Sequence, residues 1–230
     1  LPISNSHSLI GGIMGAGIAG LGFEQLVYGG LVKVFAGIII APIGGIVFGM
    51  VLVGIVIAIF AKYRPAIVNR TFGRLSIISS AWLALTHGAN DGQKTMGIIV
   101  LILFSADLIS EIHMPLWVIF AAAGAMGLGT FFGGYKVIKT LGVKVTRLKP
   151  YQGFAAETGG GLMLAVFAIF GIPASTTHAI TGTIMGAGAA RRKRAVRWKV
   201  SRQIIFSWVI TIPGAAGLGI AFTYIIHLFV

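Results

Sequence analysis

Gly88-Ala89-Asn90-Asp91-Gly92-Gln93-Lys94 sets four polar or charged side chains within five residues, inside an apolar run from about Leu75 to Ala106. Segments embedded in hydrocarbon exclude Asp, Asn, Gln and Lys unless each has a partner, because burial without one is costly. Gly88 and Gly92 bracket the cluster, and glycine lets a backbone leave helical geometry. The pattern predicts a membrane helix broken in mid-bilayer to make a polar site, with the rest of the chain arranged around it.

Composition supports a bilayer setting. The 230 residues are 57% hydrophobic and 10% charged, with a mean hydropathy of +0.95; a soluble domain carries about 25% charged residues. This is the composition of an all-α polytopic membrane protein, with room for about six or seven spanning or half-spanning segments. The 34 glycines suit membrane helices that pack closely or break. The absence of cysteine excludes a disulfide framework, a Cys-based zinc site and thiol chemistry.

A net charge of +13 would suit nucleic acid, but its placement does not. Sixteen of the 18 Lys and Arg fall in three runs, Lys62–Arg74, Lys136–Lys149 and Arg191–Arg202, each between apolar stretches. That is the pattern of cytoplasmic loops under the positive-inside rule. The expected spans are Ala36–Ala61, the broken helix Leu75–Ala106, Pro115–Tyr135 and Gln203–Leu228, with a loop at 21–35. The loop after Ala106 is acidic (Asp107, Glu111) and faces the other side. Residues 150–190 begin and end beside basic loops, so they must enter and leave on one side. Segments 152–171 and 174–190 are short for two full spans and predict a re-entrant helical hairpin, with its tip at Gly171-Ile172-Pro173-Ala174-Ser175-Thr176-Thr177-His178. Irregular backbone at that depth is tolerated only where protein buries it or it lines a cavity.

A repeat lies under this arrangement. Shifted by 171 residues, LPISNSHSLIGGIMGAGIAG (1–20) aligns with IPASTTHAITGTIMGAGAAR (172–191), with ten of 20 positions identical. Pro2/Pro173, Ser4/Ser175, His7/His178 and the Met-Gly-Ala-Gly runs at 14–17 and 185–188 all match. The second copy leads into seven basic residues and exits inside; the first leads into a loop with only Lys33 and exits outside. Opposite orientation makes this an inverted-topology repeat, common among secondary transporters. Residues 1–74 are then the remainder of a first repeat and 75–230 a second. The first repeat should own an Asn-Asp motif about 80 residues before Leu1, so the chain reads as an N-terminally truncated fragment that should not transport alone.

A helix restarting after a break presents unpaired N–H groups and a positive dipole end, which together bind anions. Ser175, Thr176 and Thr177 open the returning half-helix, and Ser4, Asn5 and Ser6 open its counterpart. Hydroxyl and amide donors together suit a tetrahedral oxyanion. The Asp91 carboxylate repels an anion unless a proton, a cation such as Na⁺, or Lys94 neutralises it. That predicts coupling of a co-ion to substrate at Asn90 and Asp91, with Glu157 a second buried carboxylate for the same purpose. Structural readings compete: Ser175 and Thr176 as helix caps, Asp91–Lys94 as an i,i+3 ion pair, His7, His178 and His87 bonded to local structure, and Glu157 as an inter-helix hydrogen-bonding group.

The stretches His87–Gly97 and Gly171–His178, with Ala155-Ala156-Glu157-Thr158, closely resemble the motifs of the inorganic phosphate transporter (PiT) family, and Gly92-Gln93-Lys94 resembles its prokaryotic branch. The resemblance implies phosphate import by H⁺ or Na⁺ symport through two inverted repeats, with alternating access, in a prokaryotic plasma membrane. It implies that Asn90 and Asp91 serve substrate and cation, and that Ser175, Thr176 and Thr177, with Ser4, Asn5 and Ser6, bind phosphate. The cargo could be free phosphate or a neutral divalent metal–phosphate complex, with no resident cofactor or metal. The expected partners are phosphate, the coupling cation and the lipid bilayer, with homo-oligomers left open. A sulfate carrier of the same fold and a non-transporting receptor or subunit are the alternatives. No nucleophile elbow, metal cluster or soluble catalytic domain points to an enzyme.

Overall fold

The computed structural model describes residues 2–172 and 174–229; Pro173, expected at the hairpin tip and matched to Pro2 in the repeat, lies outside them, as do Leu1 and Val230. The described residues are almost entirely helical, with no strand among them. Seven α-helices follow in order: α1 (Asn5–Leu21), α2 (Tyr28–Phe60), α3 (Pro65–Ser105), α4 (Leu116–Lys139), α5 (Pro150–Ile169), α6 (Thr176–Ala189) and α7 (Trp198–His227). A turn of π-helix, Thr140–Val145, extends α4. Helices α2, α4 with its extension, α5 and α7 are each long and apolar enough to cross a membrane.

The expected break in α3 is not there. The helix runs 41 residues without interruption, and Gly88, Asn90, Asp91 and Gly92 are all helical. The physical reason lies in side chains: Lys94, His87 and Thr176 meet the Asp91 carboxylate, so the backbone need not unwind to supply partners. Helix α3 also absorbs most of the loop expected at 62–74. Pro65 stands in its first turn, where a missing N–H costs nothing. At about 1.5 Å per residue, α3 is about 60 Å long, twice the hydrocarbon thickness, so its basic first third extends beyond the apolar layer. Helix α2 likewise begins at Tyr28, inside the loop expected at 21–35.

The hairpin expected over 150–190 is present as α5 and α6. Helix α5, with 20 residues, reaches about 30 Å, whereas α6, with 14, reaches about 21 Å and cannot cross. Gly171 takes a left-handed φ of 59° in the turn between them, a conformation that L side chains adopt at a cost.

Small residues form the packing faces and large ones point outward. On α2, Gly37, Ala41, Gly45 and Gly49 are buried, while Ile39, Ile43, Val47 and Val51 are exposed. This suits a helix whose outer face meets lipid and whose inner face lets backbones touch. Helix α6 packs on α2 and α1 on α7. A Cβ on Gly186 of α6 would collide with the Ile46 carbonyl of α2, and one on Gly15 of α1 with the Ala216 carbonyl of α7. Pro42 and Pro213 stand inside α2 and α7, again 171 residues apart. The offset that relates 1–20 to 172–191 therefore also relates Gly11 to Gly182, Gly15 to Gly186 and Pro42 to Pro213. Each copy of the repeated helix thus packs on the long helix that follows the other copy. Helix α5 fills the space between α2, α6 and α3, and α4 lies against α3.

Candidate functional site

The two repeated tips meet end to end beside the middle of α3. Ser4 and Ser175 precede α1 and α6 in extended backbone. Their hydroxyl oxygens accept from the His7 and His178 amides at 3.2 and 3.3 Å. These are N-caps, each worth about 1 kcal/mol, and the same cap recurs at both copies. The next amides, Asn5 and Ser6 in α1 and Thr176 and Thr177 in α6, open their helices and have no carbonyl one turn earlier to pair with. The Thr177 hydroxyl donates to the Ile3 carbonyl at 3.3 Å, joining one tip to the other. Behind the caps, the His7 and His178 rings pack edge to face, centroids 4.5 Å apart. His178 also stacks on Trp208 at 3.7 Å, and Trp208 Nε1 donates to the Pro2 carbonyl at 3.1 Å. These two rings are held mainly by packing: His7 Nδ1 and both ring nitrogens of His178 make no hydrogen bond of ordinary length and angle among the described residues, and the Ile38 backbone lies beside the His178 ring.

Asp91 faces this junction from α3. Its carboxylate, 7% exposed, accepts from the Thr176 hydroxyl at 3.0 and 3.2 Å. Lys94 Nζ lies 3.3 Å away and His87 Nε2 3.4 Å. Lys94 Nζ also donates to the Ser6 hydroxyl at 2.8 Å and the Ala174 carbonyl at 3.1 Å. One carboxylate and one ammonium thus hold α1, α3 and the α6 tip together. A cavity of about 530 Å³ opens beside them, lined by Asn5, Ser6, Asp91, Lys94, Thr95 and a wall of α4 that includes Ala122 and Met126. Its polar end carries hydroxyls, an ammonium and helix amides; its far wall is apolar. That combination can take a small anion together with a cation.

Six of the eight residues expected at the substrate site lie at this junction: Ser4, Asn5, Ser6, Asp91, Thr176 and Ser175. Thr177 is adjacent, its hydroxyl turned to Ile3. Asn90 points elsewhere. Its amide donates to the Thr86 carbonyl at 2.8 Å and the Leu164 carbonyl at 3.3 Å, which fastens α3 to α5. Consecutive helical residues differ by about 100°, so Asn90 and Asp91 cannot share one face. Glu157 is also away from the junction and accepts a short hydrogen bond from Ser79 on α3. Twelve residues of helix, about 18 Å, separate Ser79 from Asp91. His87, read from sequence as structural, is a direct neighbour of Asp91; the i,i+4 spacing is the signal for that contact. The Ala174 carbonyl has no side-chain signature that a sequence could carry.

Comparison with known proteins identifies the family. The phosphate transporter family model matches residues 1–219. A probable low-affinity inorganic phosphate transporter of Rhizobium meliloti (strain 1021) is 48% identical over 217 residues, covering 94% of this chain and 65% of that protein. Its counterpart in Bacillus subtilis (strain 168) is 41% identical, covering 99% and 69%, and that of Mycobacterium leprae (strain TN) 39% identical, covering 99% and 56%. The chain thus spans roughly two thirds or less of the length of these relatives. A solved structure titled the sodium-dependent phosphate transporter superposes with a TM-score of 0.85 at 21% identity, over all of this chain and 74% of that one, and so shares the fold. With the motifs, the multi-pass helical architecture and the match along nearly its whole length in agreement, this chain belongs to the phosphate transporter family.

Proposed function

We propose that the protein imports inorganic phosphate by symport with a cation, H⁺ or Na⁺, through alternating access at the junction of the two tips. The observation that carries this reading is the meeting of two capped helix N-termini, Ser4–His7 and Ser175–His178, beside the Asp91–Lys94 pair. Helix N-termini offer amide donors and positive dipole ends to an oxyanion. Asn5 and Ser6 add side-chain donors around the same point, while the Thr176 and Thr177 hydroxyls hold Asp91 and the Ile3 carbonyl in place. Phosphate near neutral pH still carries a proton and can donate to a carboxylate; sulfate can only accept. An ionised Asp91 therefore selects for phosphate. The halves 1–74 and 75–230 act as inverted repeats whose rocking exposes the junction to each side in turn. A divalent metal travelling with phosphate is cargo.

The test is uptake by the complete protein in proteoliposomes, with proton and sodium gradients imposed separately. One gradient should drive phosphate uptake, and tenfold excess sulfate should lower it by less than half. Asp91→Asn, checked for folding by gel filtration, should lower driven uptake at least tenfold. Preferential sulfate uptake would make this a sulfate carrier, and phosphate binding without counterflow would make it a receptor.

A further inference from the structure

We propose that the Lys94 ammonium is a tethered cation filling the place a sodium ion would take beside Asp91, so that transport is independent of sodium. This rests on the reading of the chain as a cation-coupled carrier. An ammonium has three N–H donors and no acceptor. Lys94 Nζ meets three oxygens, Ser6 Oγ at 2.8 Å, Ala174 O at 3.1 Å and Asp91 Oδ1 at 3.3 Å. Every proton is therefore committed to the protein, and none is left to grip an anion.

The three oxygens are a hydroxyl, a backbone carbonyl and a carboxylate, hard oxygen ligands of the kind that hold small cations, and a fixed positive charge is needed among them because the two helix N-termini beside it do not themselves attract a free cation. They come from three separate elements, α1, the segment before α6, and α3. Ser6, Ala174 and Asp91 are all buried. Ala174 precedes the Ser175 cap, and the first carbonyl accepted into α6 is that of Ser175, from the Ala179 amide. The Ala174 carbonyl is thus left over from the helix, and Lys94 takes it. A surface ion pair would need only the carboxylate. An oxygen cage drawn from three elements and filled by a charge fixed to one of them is a cation site with its ion built in. Because Lys94 sits one turn beyond Asp91 on the same helix, its charge cannot leave with substrate.

The experiment compares the complete wild-type protein with Lys94→Ala and Lys94→Asn. Thermal melts in detergent, without phosphate, are run in sodium chloride and in choline chloride at equal ionic strength. The wild type should melt within about 1 °C in both salts. The variants, with the cage vacated, should gain several degrees in sodium, saturably, and bind radioactive sodium near one ion per chain. Proteoliposome uptake of phosphate should be the same within twofold in the two salts for wild type, and at least tenfold higher in sodium for a variant that transports. A variant that folds only when sodium is present also supports the proposal. Saturable sodium stabilisation of wild type, sodium-dependent wild-type uptake, or folded variants indifferent to sodium would each overturn it. The melts need no phosphate, so a protein that failed to carry phosphate would remove the function proposed above and leave this inference standing on its own result.

Discussion

Gly186→Ala is a one-methyl perturbation whose cost is set by backbone. The new Cβ would fall on the Ile46 carbonyl, with the Cα and carbonyl carbon of Ile46 next nearest. No side chain can rotate out of the way, so α2 and α6 must move apart. Overpacking costs typically 1–3 kcal/mol, and a backbone clash belongs at the upper end. Against it stands about 1 kcal/mol of helix propensity gained when Ala replaces Gly. The net loss is about 2 kcal/mol. For a chain of this size, 1 kcal/mol shifts Tm by about 2–4 °C, so the midpoint should fall by about 4–8 °C. Gly15→Ala should fall by a similar amount, because its Cβ would meet the Ala216 carbonyl in the equivalent crossing. Gly17→Ala and Gly54→Ala are the controls. A Cβ at either meets nothing within 4 Å, so propensity should leave them level or slightly more stable. The assay is thermal denaturation in detergent, read as the fraction remaining monodisperse. A Gly186→Ala protein that melts at or above wild type would refute the close-approach argument. A loss at Gly186 with none at Gly15 would refute the equivalence of the two crossings.

Two further outcomes are expected. Because Glu157 accepts from Ser79 about 18 Å along α3 from Asp91, Glu157→Gln should leave the phosphate Kd within about twofold, measured by binding in detergent; a tenfold change would place Glu157 at the substrate. The chain contains no cysteine, so single cysteines can map its sidedness. Cys at Lys62, Lys144 or Arg192 should react with impermeant reagent only from the basic-loop side, and Cys at Phe23 or Leu108 only from the other. Labelling of Phe23→Cys and Arg192→Cys from one side would end the inverted-repeat reading.

Much of the fold is legible because lipid enforces strong rules. The apolar runs mark α2, α4, α5 and α7, and the basic clusters mark where the chain leaves the apolar layer. Hydropathy locates the membrane, however, and says little about where a helix stops. Arg64 to Arg74 reads as loop because lipid excludes it, yet a helix begun at Pro65 continues through water into the bilayer. The break predicted at Gly88–Gly92 came from a sound premise, that a carboxylate at depth needs partners. It missed that Lys94, already a candidate partner, is joined by His87 on the same helix and by Thr176 across the junction, the last of which only tertiary structure brings near, so that the helix need not open. The Ser and Thr residues of the two tips were readable because the same pattern occurs twice. Asn90 and Asp91 part company in the structure because adjacency in sequence is not adjacency on a helix, and Asn90 turns to the Leu164 carbonyl. The interlock of α1 with α7 escaped notice because glycine-on-carbonyl contacts leave no pattern beyond a generic richness in glycine.

The packing of α1 on α7 and of α6 on α2 also constrains how the protein is made. The glycine face of α1 is covered by α7, which emerges about 180 residues later. At roughly 5–20 residues per second of synthesis, α1 waits on the order of 10–40 s with that face open. The face of α2 waits about two thirds as long for α6. Throughout that interval the nascent chain carries two smooth, small-residue strips, the kind of surface on which membrane helices associate. They can mate with each other or with a second nascent chain. Assembly therefore needs either a holding factor at the insertion site or an early pairing loose enough to be exchanged when α6 and α7 arrive, so that helices made late complete faces exposed early.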